Sequence, residues 1–243
     1  MAAARLSLLV LLMSAAVMAF ARNDHAAERR QMVDEIERLS RLVAGETGRA
    51  GLDPRVLEAM GKVPRHEFVP PAQRHAAYRN RPLSIGVGQT ISQPFIVALM
   101  TDLLGLKPRD TVLEVGTGSG YQAAVLSELA KDIYTIEIVE SLGKSAAETL
   151  KRLGYANVHT RIGDGYQGWP EHAPYDSIIV TAAPDHVPPA LIAQLKPGGR
   201  LVIPVGKLAQ ELMVITKNED GSTTRQEIVP VQFVPLTRDK ARE

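Results

Sequence analysis

Residues 112–121 read Val-Leu-Glu-Val-Gly-Thr-Gly-Ser-Gly-Tyr. An apolar run too short for a helix ends in glycines at alternate positions, and the Ala-rich stretch 120–130 follows at helical spacing. This is a strand, a tight turn and a helix. The same alternation continues outward. Strands are expected at 110–115, 132–138, 157–162, 176–182 and 200–205. Helices are expected at 120–130, at 139–153 closed by Gly154, and at 188–195, with Pro197-Gly198-Gly199 as a turn. The uninterrupted Ile178-Ile179-Val180 has the character of a central parallel strand. Strand–helix alternation predicts an α/β fold, a doubly wound and mostly parallel sheet with helices on both faces. Residues 212–217 and 227–234, joined by a turn at 218–222, predict an antiparallel addition at one edge.

Upstream, Met32, Ile36, Leu39 and Leu42 are spaced for a surface helix over 24–42. Asp53-Pro54 pairs an N-cap with a first-turn proline, starting a short helix that runs from Arg55 to about Met60 and ends at Gly61. Residues 63–93 are rich in Pro and Gly with little periodicity, a long irregular stretch. Its apolar residues (Phe68, Val69, Tyr78, Leu83, Ile85, Val87) favour a functional loop over a disordered one. Pro94–Leu104 reads as a buried helix with Gly105 past its end.

Composition narrows the function. The 243 residues contain no Cys, which excludes a disulfide framework, a Cys-based zinc site, an iron–sulfur cluster and a cysteine nucleophile. Lys plus Arg number 28 and Asp plus Glu 27, a balance that argues against a nucleic-acid binder. Apolar residues make up 45 %, too many for a disordered chain. Arg5, the uncharged Leu6 to Phe20 and the small-x-small Ala19-Phe20-Ala21 read as a secretory signal peptide cleaved after Ala21; an uncleaved extension or a misassigned start is the other reading.

Three details define the ligand. The spacing is Gly116-x-Gly118-x-Gly120, not the Gly-x-Gly-x-x-Gly of dinucleotide sites. Glu114 abuts the glycines, where its charge would repel a pyrophosphate and attract an amine. Glu137, at the end of the second core strand and 21 residues past Gly116, stands where an acid binds both ribose hydroxyls. A ribose, an ammonium group and no phosphate describe S-adenosyl-L-methionine. Gly163-Asp164-Gly165 follows the third strand; Asp164 accepts from an adenine amino group or simply makes a turn. Thr181-Ala182-Ala183-Pro184 follows the fourth, the usual place for residues facing a transferred group. It differs from the Asn/Asp-Pro-Pro-Tyr of enzymes that methylate base amines.

Gly88-Gln89-Thr90-Ile91-Ser92-Gln93-Pro94, Val112 to Leu126, Gly163 to Pro170, Asp176 to Ala183, Gly198 to Gly206 and Phe233 to Thr237 together resemble the protein-L-isoaspartate O-methyltransferase family, over about Val63 to Thr237. The 88–94 stretch is specific to that family; the glycine loop is shared by many methyltransferases. The resemblance implies a Rossmann-like single methyltransferase domain over 22–243. Residues 24–94 would be N-terminal helices and a covering loop, 95–206 the core and 207–243 the closing strands. It implies methyl transfer from S-adenosyl-L-methionine to the α-carboxylate of L-isoaspartyl residues in damaged proteins and peptides. The ester then collapses to a succinimide. The active-site serine corresponds to Ser92. Cofactor contacts carry over to Gln89, Thr90, Ile91, Ser92, Glu114, Gly116, Gly118, Gly120, Glu137, Asp164, Gly165 and Thr237. The chain departs from the pattern in Asn80-Arg81-Pro82-Leu83-Ser84, where many relatives carry an Asp and a second Pro; those positions bear on substrate preference.

An ionised acceptor carboxylate needs no general base, so catalysis rests on in-line positioning and exclusion of water. Ser92 reads as an orienting hydrogen-bond donor, as the cap of the helix starting near Pro94, or as both. His66-Glu67 begins like a zincin motif, but Pro70 stands where the second His belongs, so no metal site is expected. Trp169 reads as packing or as part of a peptide groove, and Met100 as packing. The partners expected are isoaspartyl proteins and peptides, with no nucleic acid and no membrane after signal removal, and the protein itself is expected to be a monomer. Cofactor supply and the resemblance point to the cytoplasm, and cleavage after Ala21 to the periplasm. Two other readings are a nicotinamide-dependent oxidoreductase, disfavoured by Glu114 and the glycine spacing, and an inactive exported cofactor-binding protein, disfavoured by the retained Ser92.

Overall fold

Apolar spacing decides the first elements. In α1 (Ala26–Leu42), Met32 and Ile36 recur one turn apart and both are buried. A single further turn, Ala44–Thr47, ends at Gly48. Helix α2 (Pro54–Lys62) begins as expected, with the Asp53 carboxylate accepting from Arg55 N–H at 2.8 Å. It does not end at Gly61. The helix runs through to Lys62, and Pro64 stops it by forcing Val63 into extended backbone. Gly61 lies inside α2 on the side facing α1, where a Cβ would make ordinary contact with Val33 at 3.6 Å.

Residues 63–93 are more ordered than expected. Arg65–Phe68 and Pro71–Ala76 form 3-10 turns, and β1 (Leu83–Gly86) pairs antiparallel with β2 (Gln89–Ile91). Strands of four and three residues are too short to show an alternation. The hairpin tip holds three consecutive left-handed residues, Gly86, Val87 and Gly88, with φ of 95°, 46° and 74°. Helix α3 (Pro94–Leu104) has the expected bounds, and every residue but Ile96 is buried. Asp102 on α3 is 2 % exposed and anchors the segment before α2. Its carboxylate accepts from Arg49 Nη1 (2.5 Å) and from Asp53 N–H (2.7 Å).

The core follows as β3 (Thr111–Val115), α4 (Tyr121–Ser127), β4 (Asp132–Glu137), α5 (Glu140–Leu153), β5 (Val158–Ile162), β6 (Tyr175–Val180), α6 (Pro189–Ala193), β7 (Leu195–Val205), β8 (Gln210–Lys217) and β9 (Thr223–Val231). The sheet order is β5-β4-β3-β6-β7-β8-β9, parallel through β7 and antiparallel thereafter. Alternate residues serve opposite faces. Val112, Ile133, Ile179 and Val202 join the core under α1 to α4; Leu113, Ile136, Ile178 and Leu201 join a second core closed by Leu191. The computed structural model describes residues 25–238, so the expected signal peptide at 1–21 lies outside them. No described helix is long and apolar enough to cross a membrane.

Several boundaries differ from the sequence reading: β9 spans Thr223–Val231, not 227–234, because its pairing with β8 starts at Lys217–Thr223, and β6 stops at Val180, not 182. Helix α4 stops at Ser127 because i→i+3 bonds such as Leu129 N–H to Leu126 O tighten its last turn. Asn157 Nδ2 donates to the carbonyls of Ser127, Ala130 and Lys131 there. Helix α6 is shorter still, since Leu195 pairs with Tyr175 and starts β7. Lys217 Nζ caps the shortened helix by donating to the carbonyls of Ile192 (3.0 Å) and Leu195 (2.7 Å). Pro197-Gly198-Gly199 becomes an irregularity within β7, where the register with β6 jumps from Leu195 to Arg200.

Asp102→Ala removes an acceptor shared by a guanidinium and a backbone N–H. We expect a loss of about 2–3 kcal/mol, read from urea unfolding. A loss below about 0.5 kcal/mol would show that the N-terminal segment holds without it.

Candidate active site

The chain runs outward from β3 through β4 to β5, then returns to place β6 on the other side of β3. A crevice opens beyond the carboxyl ends of the strands at such a reversal. Here it is a cleft open to solvent, with the glycine loop in its wall. Gly116 N–H and Thr117 N–H both donate to Ile136 O, so the loop leaves β3 pinned to β4. Gly116, Gly118 and Gly120 all take positive φ (98°, 53° and 88°). A Cβ on Gly116 would sit 2.5 Å from Thr181 Oγ1, the hydroxyl that donates to Gly116 O at 2.6 Å. Any side chain there would displace the contact that shapes the loop.

Two acids floor and flank the cleft. The Glu137 carboxylate accepts from Gly118 N–H through Oε2 (2.7 Å) and from Val139 N–H through Oε1 (2.9 Å). It thus holds the loops after β3 and β4 together. Glu114 lies in the cleft wall and is fully buried, yet neither of its oxygens accepts a hydrogen bond of normal geometry. Burial pushes its carboxyl up to about 8. The Thr135 hydroxyl, already paired with Thr117 Oγ1 at 2.6 Å, offsets that only in part, and the charge of Glu137 adds to it. A buried carboxyl without partners, facing a cleft, fits a cationic group.

The rest of the wall comes from segments far apart along the chain. Gln89, Thr90, Ile91 and Ser92 approach from the hairpin, and Gly165 and Thr237 from the opposite side. Gly165 has no room for a side chain, since a Cβ would lie 2.3 Å from Val115 Cγ1. Ala183 N–H donates to Val234 O (2.8 Å) and Leu236 N–H to Ala183 O (2.9 Å), which straps residues 234–237 across the end of β6. Two positions in the expected set do not line the cleft. Gly120 faces α5, where a Cβ would meet Leu150 at 3.2 Å. Asp164 makes the turn, its Oδ1 accepting from Tyr166 N–H at 2.9 Å.

Ser92 lines the cleft but does not cap α3. The Phe95 N–H donates to Asn80 Oδ1 (2.9 Å), so one of the residues that departs from the family pattern does the capping. Met100 is 1 % exposed in the core, as expected, and also reaches the cleft wall. Trp169 packs edge-on against Tyr134 (5.4 Å) beneath the Arg161 guanidinium, away from the cleft. Sequence reasoning missed Tyr121 and Gln122, which line the cleft from the first turn of α4. Their place directly after the glycines was the available sign.

The family model for protein-L-isoaspartate(D-aspartate) O-methyltransferase (PCMT) matches residues 40–241. The chain belongs to this family. Its similarity to the protein-L-isoaspartate O-methyltransferase 1 of Cupriavidus necator is 62 % identity over 213 residues, covering 87 % of this chain and 82 % of that one. A solved protein-L-isoaspartate O-methyltransferase superposes with a TM-score of 0.74 at 29 % identity, covering 85 % of this chain and 65 % of that longer chain. A Plasmodium falciparum structure in complex with S-adenosyl-L-homocysteine shares the fold, with a TM-score of 0.72, 24 % identity and coverage of 87 % and 99 %.

Glu114 makes stability depend on pH with a defined sign. The folded chain holds a proton between about pH 4.5 and pH 8 that the unfolded chain has lost. Its stabilisation is therefore full at low pH and disappears as pH rises through about 8. Wild-type protein without ligand should lose roughly 3 kcal/mol from this group between pH 6 and pH 9. Glu114→Gln should lack that part of the slope, and identical slopes in urea titrations would refute the assignment.

Proposed function

We propose that this chain transfers the methyl group of S-adenosyl-L-methionine to the α-carboxylate of L-isoaspartyl residues in damaged proteins and peptides, opening their repair. Family membership carries the reading, and the cleft's chemistry agrees with it. The orphaned Glu114 suits an ammonium group, and Glu137 stands at the strand tip where a ribose is recognised. Gly116 and Gly118 bring the loop backbone itself to the cleft wall, where a ligand can meet it directly. When bound, the cofactor supplies an electrophilic methyl on a sulfonium centre.

What remains for the protein is placement. The acceptor carboxylate is already ionised at neutral pH, so none of these residues has to remove a proton. Ser92, on the cleft wall between β2 and α3, orients the acceptor by donating a hydrogen bond. Gln89, Thr90 and Ile91 cover the donor side, and Gly165 and Thr237 close the opposite wall. Covering the cleft excludes water, which would screen the attraction between anion and cation. The same reading takes 24–94 as helices and covering loop, 95–206 as donor-binding core and 207–243 as closing strands of one domain. We assign the enzyme to the cytoplasm, where the methyl donor is made, as a monomer acting on damaged polypeptide and not on nucleic acid or membrane. A mature protein beginning at Arg22 would move it to the periplasm.

Radiolabelled methyl transfer to an isoaspartyl peptide, against its aspartyl twin, tests the reading. Label on the isoaspartyl peptide alone is expected; equal label on both, or none, overturns it. Ser92→Ala should lower turnover on the isoaspartyl peptide, and unchanged turnover removes Ser92 from its role. Glu137→Ala should weaken S-adenosyl-L-homocysteine binding by about 1.5–3 kcal/mol in calorimetric titration. Wild-type affinity there would mean that Glu137 only shapes the loops.

A further inference from the structure

Among the described residues Arg65 is the largest fully buried side chain, and no carboxylate pairs with it. Burial lowers its pKa to about 10, so it stays charged at neutral pH. Its partners are all neutral. Nε donates to Ala77 O (2.8 Å), Nη2 donates to Ser92 O (2.6 Å), and Cζ lies 4.7 Å from the centre of the Tyr121 ring. Nη1 has no partner. Burying a cation against neutral groups is costly, and an apolar residue of similar volume would fill the space without that cost. The cost needs another justification, and the partners supply it. Ser92 stands on the acceptor side of the cleft; Tyr121 is the first residue of α4, directly after the glycine loop. One rigid fork joins the two sides.

We propose that Arg65 is a positioning residue for methyl transfer, fixing the backbone at Ser92 against Tyr121 and so setting the distance between methyl acceptor and methyl donor. The proposal rests on the methyl-transfer reading and on Ser92 facing the acceptor. It explains why the residue is an arginine. Only a planar guanidinium can donate to two carbonyls in fixed directions while lying over an aromatic face; a lysine is a point charge on a flexible stem. The anchor point on the acceptor side is itself stiff, since Ser92 lies between β2 and the helix that Asn80 caps. In-line transfer is sensitive to errors of an ångström, so loosening this link should affect turnover before it affects binding.

The test uses the full chain with Arg65→Lys, which keeps the charge and loses the fork, and Arg65→Gln as a second variant. Active sites are counted by titration with S-adenosyl-L-homocysteine, so turnover refers to folded molecules. We expect kcat on an isoaspartyl peptide to fall about tenfold to a hundredfold, while peptide KM and S-adenosyl-L-homocysteine affinity stay within about threefold. In a Ser92→Ala background, Arg65→Lys should cost no more than about threefold further, because both act through one position. Unchanged kcat, a loss of cofactor affinity matching the loss of turnover, or full additivity with Ser92→Ala would overturn the proposal. Failure of both variants to bind S-adenosyl-L-homocysteine would assign Arg65 to the core and overturn it too. Wild-type protein with no isoaspartyl activity would instead sink the functional reading and leave nothing for Arg65 to position.

Discussion

A single carboxylate ties together the two loops from which the cleft is made. Glu137 ends β4, and its two oxygens accept from Gly118 in the loop after β3 and from Val139 in the loop after its own strand. Parallel strands side by side leave their loops independent unless something crosses between them. A backbone N–H on a left-handed glycine is a good partner for this, because the turn points it away from its own strand. The bond places Gly118 under Ile85 of the hairpin, 3.4 Å from where a Cβ would be, so the covering segment rests on a loop that is already fixed.

Glu114 plays the opposite part. It sits on the same β3 strand, three residues before Thr117, yet its oxygens meet no partner. A fold selected only for stability would place a Val or a Thr there. The neighbouring hydroxyls of Thr117 and Thr135 pair with each other at 2.6 Å, and Thr135 offsets the burial of Glu114 only in part. The result is a carboxyl whose ionisation is held back by burial, next to one that accepts from two backbone N–H groups. On the proposed reading, the two acids divide the labour of recognition and structure between them.

The parallel core was legible because its strands are buried on both faces, and continuous apolar runs such as Ile178-Ile179-Val180 survive in the sequence. The glycine loop, Glu114 and Glu137 were legible because covalent spacing along a βαβ unit fixes them in space. Legibility fails where contacts between distant segments decide. Residues 83–91 form a hairpin whose strands are too short to alternate. Gly61 looks like a helix end and is a helix–helix contact. Ser92 looks like the cap of α3, while the cap comes from Asn80, fifteen residues before Phe95. Arg65 carries no local mark at all; its role is visible only once Ala77, Ser92 and Tyr121 surround it.

The strap across β6 couples the cleft to the antiparallel half of the sheet. Val234 and Leu236 pair with Ala183, and Thr237 joins the cleft wall, although 51 residues separate Ala183 from Val234 along the chain. Between them run β7, β8 and β9, so this wall reaches the cleft only when those strands are zipped together. Fraying of the antiparallel edge therefore loosens the cleft itself.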